Sequence, residues 1–237
     1  MSGPLIEAAR ELSKRADALS FGGEVAALYN PLTYAWEPHR RYLEAYGGGT
    51  KKVLFLGMNP GPWGMAQTGI PFGEIPAARD WLKLEAPVGR PENEHPKRPV
   101  QGFTCPKSEV SGRRFWGLMR ERFTTPEAFF MDHFVLNYCP LVFMGESGKN
   151  LTPDKLPKAE SEPLYRVCDD HLRRVIDILK PEILIGVGKF ALERFEAAAP
   201  EVPREWIIHP SPANPHANRG WSEAVVKKLV SLGVWEG

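Results

Sequence analysis

The sequence offers little from which to build a metal centre, a disulfide framework or a membrane span. Its three cysteines, Cys105, Cys139 and Cys168, are widely separated, with no CxxC pair and no Cys/His cluster. That pattern argues against a structural zinc site and a four-cysteine iron–sulfur cluster, and it suits a reducing compartment better than a secreted, cross-linked domain. The N-terminus carries Glu7, Arg10 and Glu11 early and has no apolar signal core. The longest stretch free of Asp, Glu, Lys and Arg beside an apolar run is His133 to Gly145, 13 residues interrupted by Asn137 and Pro140. It is too short to span a bilayer, and a soluble protein is expected. Charge of one sign is also missing. Thirty basic and 29 acidic residues leave a formal charge of +1, so no global field points to nucleic acid, and any binding face must be local.

What is present is the composition of one large globular domain over residues 1–237, 43% apolar and 25% charged. A chain of this length buries roughly 70% of its unfolded surface and needs no staple to hold a core. Leu5, Ile6, Ala9, Leu12, Ala16 and Leu19 fall at helical spacing, and a second helix is expected from Tyr34 to Tyr46, closed by Gly47-Gly48-Gly49. Val53–Leu56 reads as a buried strand that stops abruptly in a Gly/Pro-rich loop. Further buried strands are expected at Phe134–Leu136, Ile183–Val187 and Trp206–Ile208. Helices are expected at Ser108–Phe123, Leu164–Leu179, after the third strand through Phe195, and Gly220–Leu232. Two Pro-rich insertions interrupt this pattern, Glu85–Lys107 and Gly145–Pro163, and are read as irregular.

Short buried strands separated by helices describe an α/β fold, a three-layer αβα sandwich around a central, mainly parallel four-stranded sheet. Ligands of such sheets lie beyond the C-terminal ends of the strands. Asn59, Asn137, Gly188 and His209 stand there, a set suited to a small planar polar ligand rather than to a metal or a phosphate. Gly57–Gly73, GMNPGPWGMAQTGIPFG, combines tight turns with flat or adaptable apolar side chains (Met58, Trp63, Met65, Phe72) and one amide, Asn59. A structural turn with packed aromatics is the plainer alternative. His209–Trp221, HPSPANPHANRGW, places a histidine at a strand tip in a Pro-stiffened loop, followed by polar residues entering a helix.

Both segments resemble the two signature motifs of the single-strand-selective monofunctional uracil-DNA glycosylases, within the uracil-DNA glycosylase superfamily. Ser108–Gly112 with Arg114–Gly117, and Asn137–Leu141, are similar to further family segments, so the resemblance runs from about residue 25 to the C-terminus. It implies that Asn59 positions the attacking water, that Phe72 stacks on the flipped base and that Asn137 reads its Watson–Crick edge. It further implies that His209 hydrogen-bonds the base and stabilises the departing anion. Met58, Gly61 and Met65 would shape the pocket, the last two near C5 of the base. The loop from Pro210 to Arg219, with Ser211, Pro212, Ala213 and Asn214, would enter the DNA, while Ser111, Arg114, Lys189 and Arg219 are candidates for backbone contacts. Three departures stand out: Ala213 where vertebrate members typically carry an arginine wedge, His216 where they carry glutamine, and Trp63 for the more usual phenylalanine.

The chemistry fits these residue types. A fixed amide matches uracil's adjacent carbonyl and N–H and mismatches cytosine. An amide at position 59 cannot act as a general base, so a dissociative path is expected, with C–N cleavage before water capture. No lysine lies inside either motif to form a Schiff base, so the expected products are free uracil and an intact abasic site. No metal or cofactor is expected. The expected partners are single- and double-stranded DNA containing uracil or a modified uracil, the expected state a monomer, and the location cytoplasmic at the nucleoid in a bacterium or nuclear in a eukaryote. Alternatives are another branch of the superfamily, a non-catalytic DNA- or nucleotide-binding protein on the same scaffold, and a nucleotide hydrolase. For the last, Gly186-Val187-Gly188-Lys189-Phe190 fails the phosphate-loop pattern.

Overall fold

A computed structural model describes residues 2–237. The elements follow in the order α1 (Gly3–Asp17), β1 (Ala27–Tyr29), α2 (Pro31–Tyr34), α3 (Trp36–Tyr46), β2 (Val53–Gly57), α4 (Met65–Thr68), α5 (Val110–Phe123), α6 (Pro126–Asp132) and β3 (His133–Asn137). Then come β4 (Val142–Met144), β5 (Asn150–Leu151), α7 (Lys158–Leu179), β6 (Ile183–Val187), α8 (Lys189–Ala198), β7 (Arg204–Ile207) and α9 (Trp221–Ser231). A π-helical turn at Ala77–Trp81 and two 3-10 turns at Gly102–Thr104 and Pro153–Lys155 complete the chain. Among the described residues no helix is long and apolar enough to cross a membrane.

The central sheet runs β3-β2-β6-β7, and every pairing is parallel. β2 is buried along its whole length, which is why it reads as a continuous apolar run rather than an alternating one. Helices cover the sheet, α1 packing on α7 and α3 through Leu5, Ala8, Ala9, Leu12 and Ala16. From β2 the chain crosses to β3 on one side, while from β6 it crosses through α8 to β7 on the other. The tips of β2 and β6 therefore flank the switch point of the sheet, where loops diverge and leave a crevice.

The structure departs from the sequence pattern in several places, and the helix expected from Tyr34 begins at Trp36, with Tyr34 closing the separate short α2. A small antiparallel sheet, β1-β4-β5, was not expected; β4 lies inside the apolar run after Asn137 that gave only one strand. α6 is a short extra helix, capped by Thr125 Oγ1 accepting from the Ala128 amide at 3.3 Å. α7 begins at Lys158 rather than Leu164. Pro163 sits within its opening turns and forgoes one backbone bond there, which the helix's buried face offsets. β7 begins at Arg204, two positions before the expected Trp206.

Behind β3 the Tyr138 hydroxyl donates to Asp169 at 2.8 Å, and Asp169 pairs with Arg194 at 2.5 Å with both side chains largely buried. This pair ties α7 and α8 to the loop that follows β3. Replacing Arg194 by methionine leaves a buried carboxylate without its cation. A loss of about 3–5 kcal/mol is expected, read as a fall in Tm of roughly 10 °C; a melting point within 2 °C of the parent's would contradict it.

Candidate active site

The two signature loops meet at the switch point and enclose a cavity of about 480 Å³, a size typical of small-ligand sites. Met58, Asn59, Gly61, Phe72, Asn137, Ser111, Lys189, His209 and Ser211, all singled out in the sequence, line it. The register explains the convergence: Gly57 pairs with Asn137 across β2 and β3, and Val187 pairs with Ile207, two residues before His209.

Each side chain is held by a specific contact. Asn59 Nδ2 donates to the Leu141 carbonyl at 3.3 Å, which leaves its Oδ1 to accept from a ligand or water. Phe72 stacks on Phe115 with ring centroids 4.6 Å apart and planes 13° from parallel, so its other face is offered to the cavity. Its backbone lies in the left-handed region at φ 52, a conformation costing about 1–3 kcal/mol for a side chain of this size. The Trp116 indole N–H holds the preceding Pro71 carbonyl at 3.1 Å and helps fix that bend. Asn137 is buried, and its Nδ2 meets the Met65 sulfur at 3.2 Å.

His209 is defined by its neighbour. The Ser211 amide donates to His209 Nδ1 at 3.1 Å, so Nδ1 is the acceptor and the neutral ring carries its proton on Nε2. Burial holds its pKa down to about 4, so at neutral pH the ring is an uncharged N–H donor. The Trp221 indole fixes the strand tip by donating to the Ile208 carbonyl at 2.6 Å.

Met65 is not a lining residue: it lies buried behind Asn137 and acts on the cavity through that amide. On the Cβ side of Gly61 the space is not open but is filled by the Glu109 carboxyl. Arg114 does not present a free guanidinium, since it donates to the Pro210 carbonyl at 3.1 Å and to Asn218 Oδ1 at 2.8 Å. Pro212, Ala213 and Arg219 are exposed on the loop beyond the cavity and Asn214 is half-buried there. The loop is braced internally by Ala213 N to Ser211 Oγ at 3.2 Å and Asn218 Nδ2 to the Pro212 carbonyl at 2.9 Å. Lys189 heads α8 at the cavity edge with its ammonium 5.5 Å from the Trp206 ring centre.

Sequence reasoning missed several lining residues. Glu109 stands one residue before the helix start, inside the family-like segment Ser108–Gly112, where the sequence assigns it no role. Asn150 and Thr152 come from the second insertion, and Phe190 follows Lys189 on α8. The first insertion stays out of the cavity and braces the motif loop. Buried Gln67 donates to the Pro62 and Pro99 carbonyls, both at 3.0 Å, and Arg98 lies over the Trp63 ring. Among the described residues no group of His, Cys, Asp and Glu is placed to hold a metal ion.

The model of the uracil DNA glycosylase superfamily matches residues 44–230. The chain is 48% identical over 233 residues to the mouse single-strand selective monofunctional uracil DNA glycosylase, covering 97% of this chain and 84% of that protein. It is 51% identical over 220 residues to the bovine protein of the same name, covering 91% and 81%. The chain belongs to this glycosylase family. A likeness in fold extends to SMUG2 of Pedobacter heparinus, with a TM-score of 0.65 at 18% identity over 95% of this chain and 98% of that one.

Two expectations follow from the geometry of this family member. A nitrogen-detected NMR titration of His209 should give the Nε2–H tautomer and a midpoint near pH 4; a midpoint above 6 would refute the buried neutral ring. A Cβ at Gly57 would lie 2.8 Å from the Phe72 ring and collide with the Asn137 amide. Gly57→Ala is therefore expected to displace both and to cost about 100-fold or more in activity with the fold retained by circular dichroism. Unchanged activity would show that neither side chain needs its present place.

Proposed function

We propose that this cavity receives a uracil flipped out of DNA and that the enzyme hydrolyses its N-glycosidic bond, releasing uracil and leaving an abasic site. The observation that carries the reading is one cavity offering an aromatic face, an amide edge and a neutral imidazole N–H, from Phe72, Asn137 and His209. Flipping costs a few kcal/mol, and stacking on Phe72 returns about 1–3 kcal/mol of it. Asn137 pairs with the base's carbonyl and N–H, and cytosine leaves that amide mismatched. His209 Nε2–H donates to the base and strengthens that bond as negative charge develops there. Asn59 Oδ1, freed by the bond from Nδ2 to Leu141, orients water toward C1′. The path is dissociative because an amide takes no proton at neutral pH. Small groups at C5 are included in the reading, since the cavity of about 480 Å³ is larger than a bare uracil ring fills.

For the DNA backbone, Ser111, Lys189 and Ser211 at the cavity edge are the proposed contacts, with Arg219 on the neighbouring loop. Arg114 shapes that loop rather than meeting a phosphate. Single strands are the preferred substrate in this reading. The loop that would fill a duplex carries Ala213 at its exposed tip, and a methyl group substitutes poorly for an extruded base.

The decisive assay incubates the protein in EDTA with labelled single- or double-stranded oligonucleotides holding one uracil, followed by mild alkali. Strand breakage only after alkali is expected, faster on single strands, and at least 100-fold slower in Asn59→Ala and His209→Ala. Breakage without alkali would indicate a lyase, for which Lys189 is the amine lining the cavity. No breakage on either substrate would overturn the proposal.

A further inference from the structure

The site so far holds nothing negative to meet the positive charge that a dissociative path places on the sugar. Asn59, Asn137 and His209 are all neutral. Of the residues lining the cavity one is an acid, Glu109. It occupies the N-cap position of α5, yet its side chain makes no capping bond. The carboxyl instead turns onto the motif loop, against Gly61 and Gly64, where a Cβ at either position would collide with it. Oε2 is sealed from solvent and has no hydrogen-bond partner of ordinary geometry. The two glycines, two and five residues beyond Asn59, thus form a nest for this carboxyl. The segment that presents it is pressed close: a Cβ at Gly112 would meet the Phe72 carbonyl and Glu74.

We propose that Glu109 is the fixed negative charge of the reaction, held in the cavity wall behind the Asn59 turn, and that excision requires its ionised form. This inference rests on the glycosylase reading above. In the step, the C1′–N1 bond breaks and its electron pair leaves on N1, while C1′ and the ring oxygen share the positive charge. The Glu109 carboxylate stabilises that charge across a wall from which water is largely excluded, where Coulomb interactions are stronger than in bulk. Water oriented by Asn59 then adds through its oxygen to C1′, and the proton it loses neutralises the uracil anion. Glu109 forms no bond and keeps no proton, so it acts as a positioning charge rather than as a base.

The electrostatic setting gives the idea a signature. Burial pushes the Glu109 carboxyl up to about 7; the Glu74 charge adds to this, and the nearby Gly64 and Trp63 amides partly oppose it. Glu74 is itself buried, accepting from Ser108 Oγ at 2.8 Å and from the Ala77 amide at 3.3 Å. The other charged or titratable groups on the cavity are Lys189 and His209. On α5, Arg113 bonds Ser108 at 3.3 Å and Arg114 is committed to Pro210 and Asn218. His209 titrates near 4, well clear of Glu109. Because the folded-state pKa of Glu109 lies above its unfolded value, its contribution to stability is present in full at acid pH. That contribution is lost as pH rises through about 7. A carboxylate serving only to hold the fold would behave in the opposite way.

The test is single-turnover excision of uracil from a labelled single-stranded oligonucleotide between pH 5.5 and 8.5, with thermal melts at each pH, for the parent, Glu109→Gln and Glu109→Asp. The parent rate should rise more than tenfold from pH 5.5 to a plateau above 7. Glu109→Gln should be at least tenfold slower at pH 8, with a flat profile, and should melt no lower than the parent there. Glu109→Asp should keep an acid limb. A flat parent profile, a glutamine variant with parental rate or with the limb intact, or one that is slow because it melts several degrees lower at pH 8 would each overturn the inference. No excision by the parent at any pH would instead overturn the glycosylase reading itself.

Discussion

At the tip of β2 there is no room for a side chain. Gly57 lies with its α-carbon against the Phe72 ring on one side and the Asn137 amide on the other. This close approach fixes the separation between the stacking face and the reading edge, the two surfaces that a planar ligand must touch at once. It depends in turn on parallel pairing, which places Gly57 beside Asn137 at the last rung of β2 and β3. The strained backbone of Phe72 belongs to the same constraint. The ring reaches the cavity only from a left-handed residue, and the Phe115 stack and the Trp116 bond to Pro71 hold it there. Strain of this kind persists where the surroundings over-determine it.

Charge is distributed around that geometry in an economical way. The faces proposed to meet the base are neutral, including an imidazole whose proton is assigned to Nε2 by one backbone amide from its own loop. The single carboxyl is placed in the wall, against backbone rather than beside a cation. A neutral pocket recognises a neutral ligand without the desolvation cost of burying ions. Charge is then needed only where the reaction creates it, and a group set behind the loop that holds the water does not obstruct the ligand.

Much of this was legible in the sequence because the informative residues are contiguous. The loop after β2 and the loop after β7 each carry their side chains within one segment, and a buried run ending in Gly and Pro marks a strand tip on physical grounds alone. What was not legible came from packing between distant segments. Glu109 looks like an ordinary polar residue at a helix start, and only the glycines at 61 and 64, more than forty positions away, reveal its environment. Met65 stands inside the first motif yet falls behind Asn137, since helix α4 turns it inward. The strand β4 was hidden because an apolar run shows no period that would divide it into two strands and a turn. The insertions could not be placed at all without structure: their prolines mark irregular backbone but not which one reaches the cavity.

Arg114 shows what a reading by residue type leaves out, namely the contacts that the side chain makes within the protein. An arginine at a helix start beside a DNA-binding loop suggests a phosphate contact, and any surface guanidinium could make one. Here its two terminal nitrogens donate to Pro210 and Asn218, so the side chain sets the shape of the loop between them. That loop also closes on itself through Ser211, Asn214 and Asn218, and it starts at His209. Anything that shifts the loop on contact with DNA therefore pulls on the Ser211 amide, the bond that assigns the imidazole its proton. The loop proposed to face DNA and the histidine proposed to meet the leaving base are thus one mechanical unit, and their coupling needs no longer path than two residues.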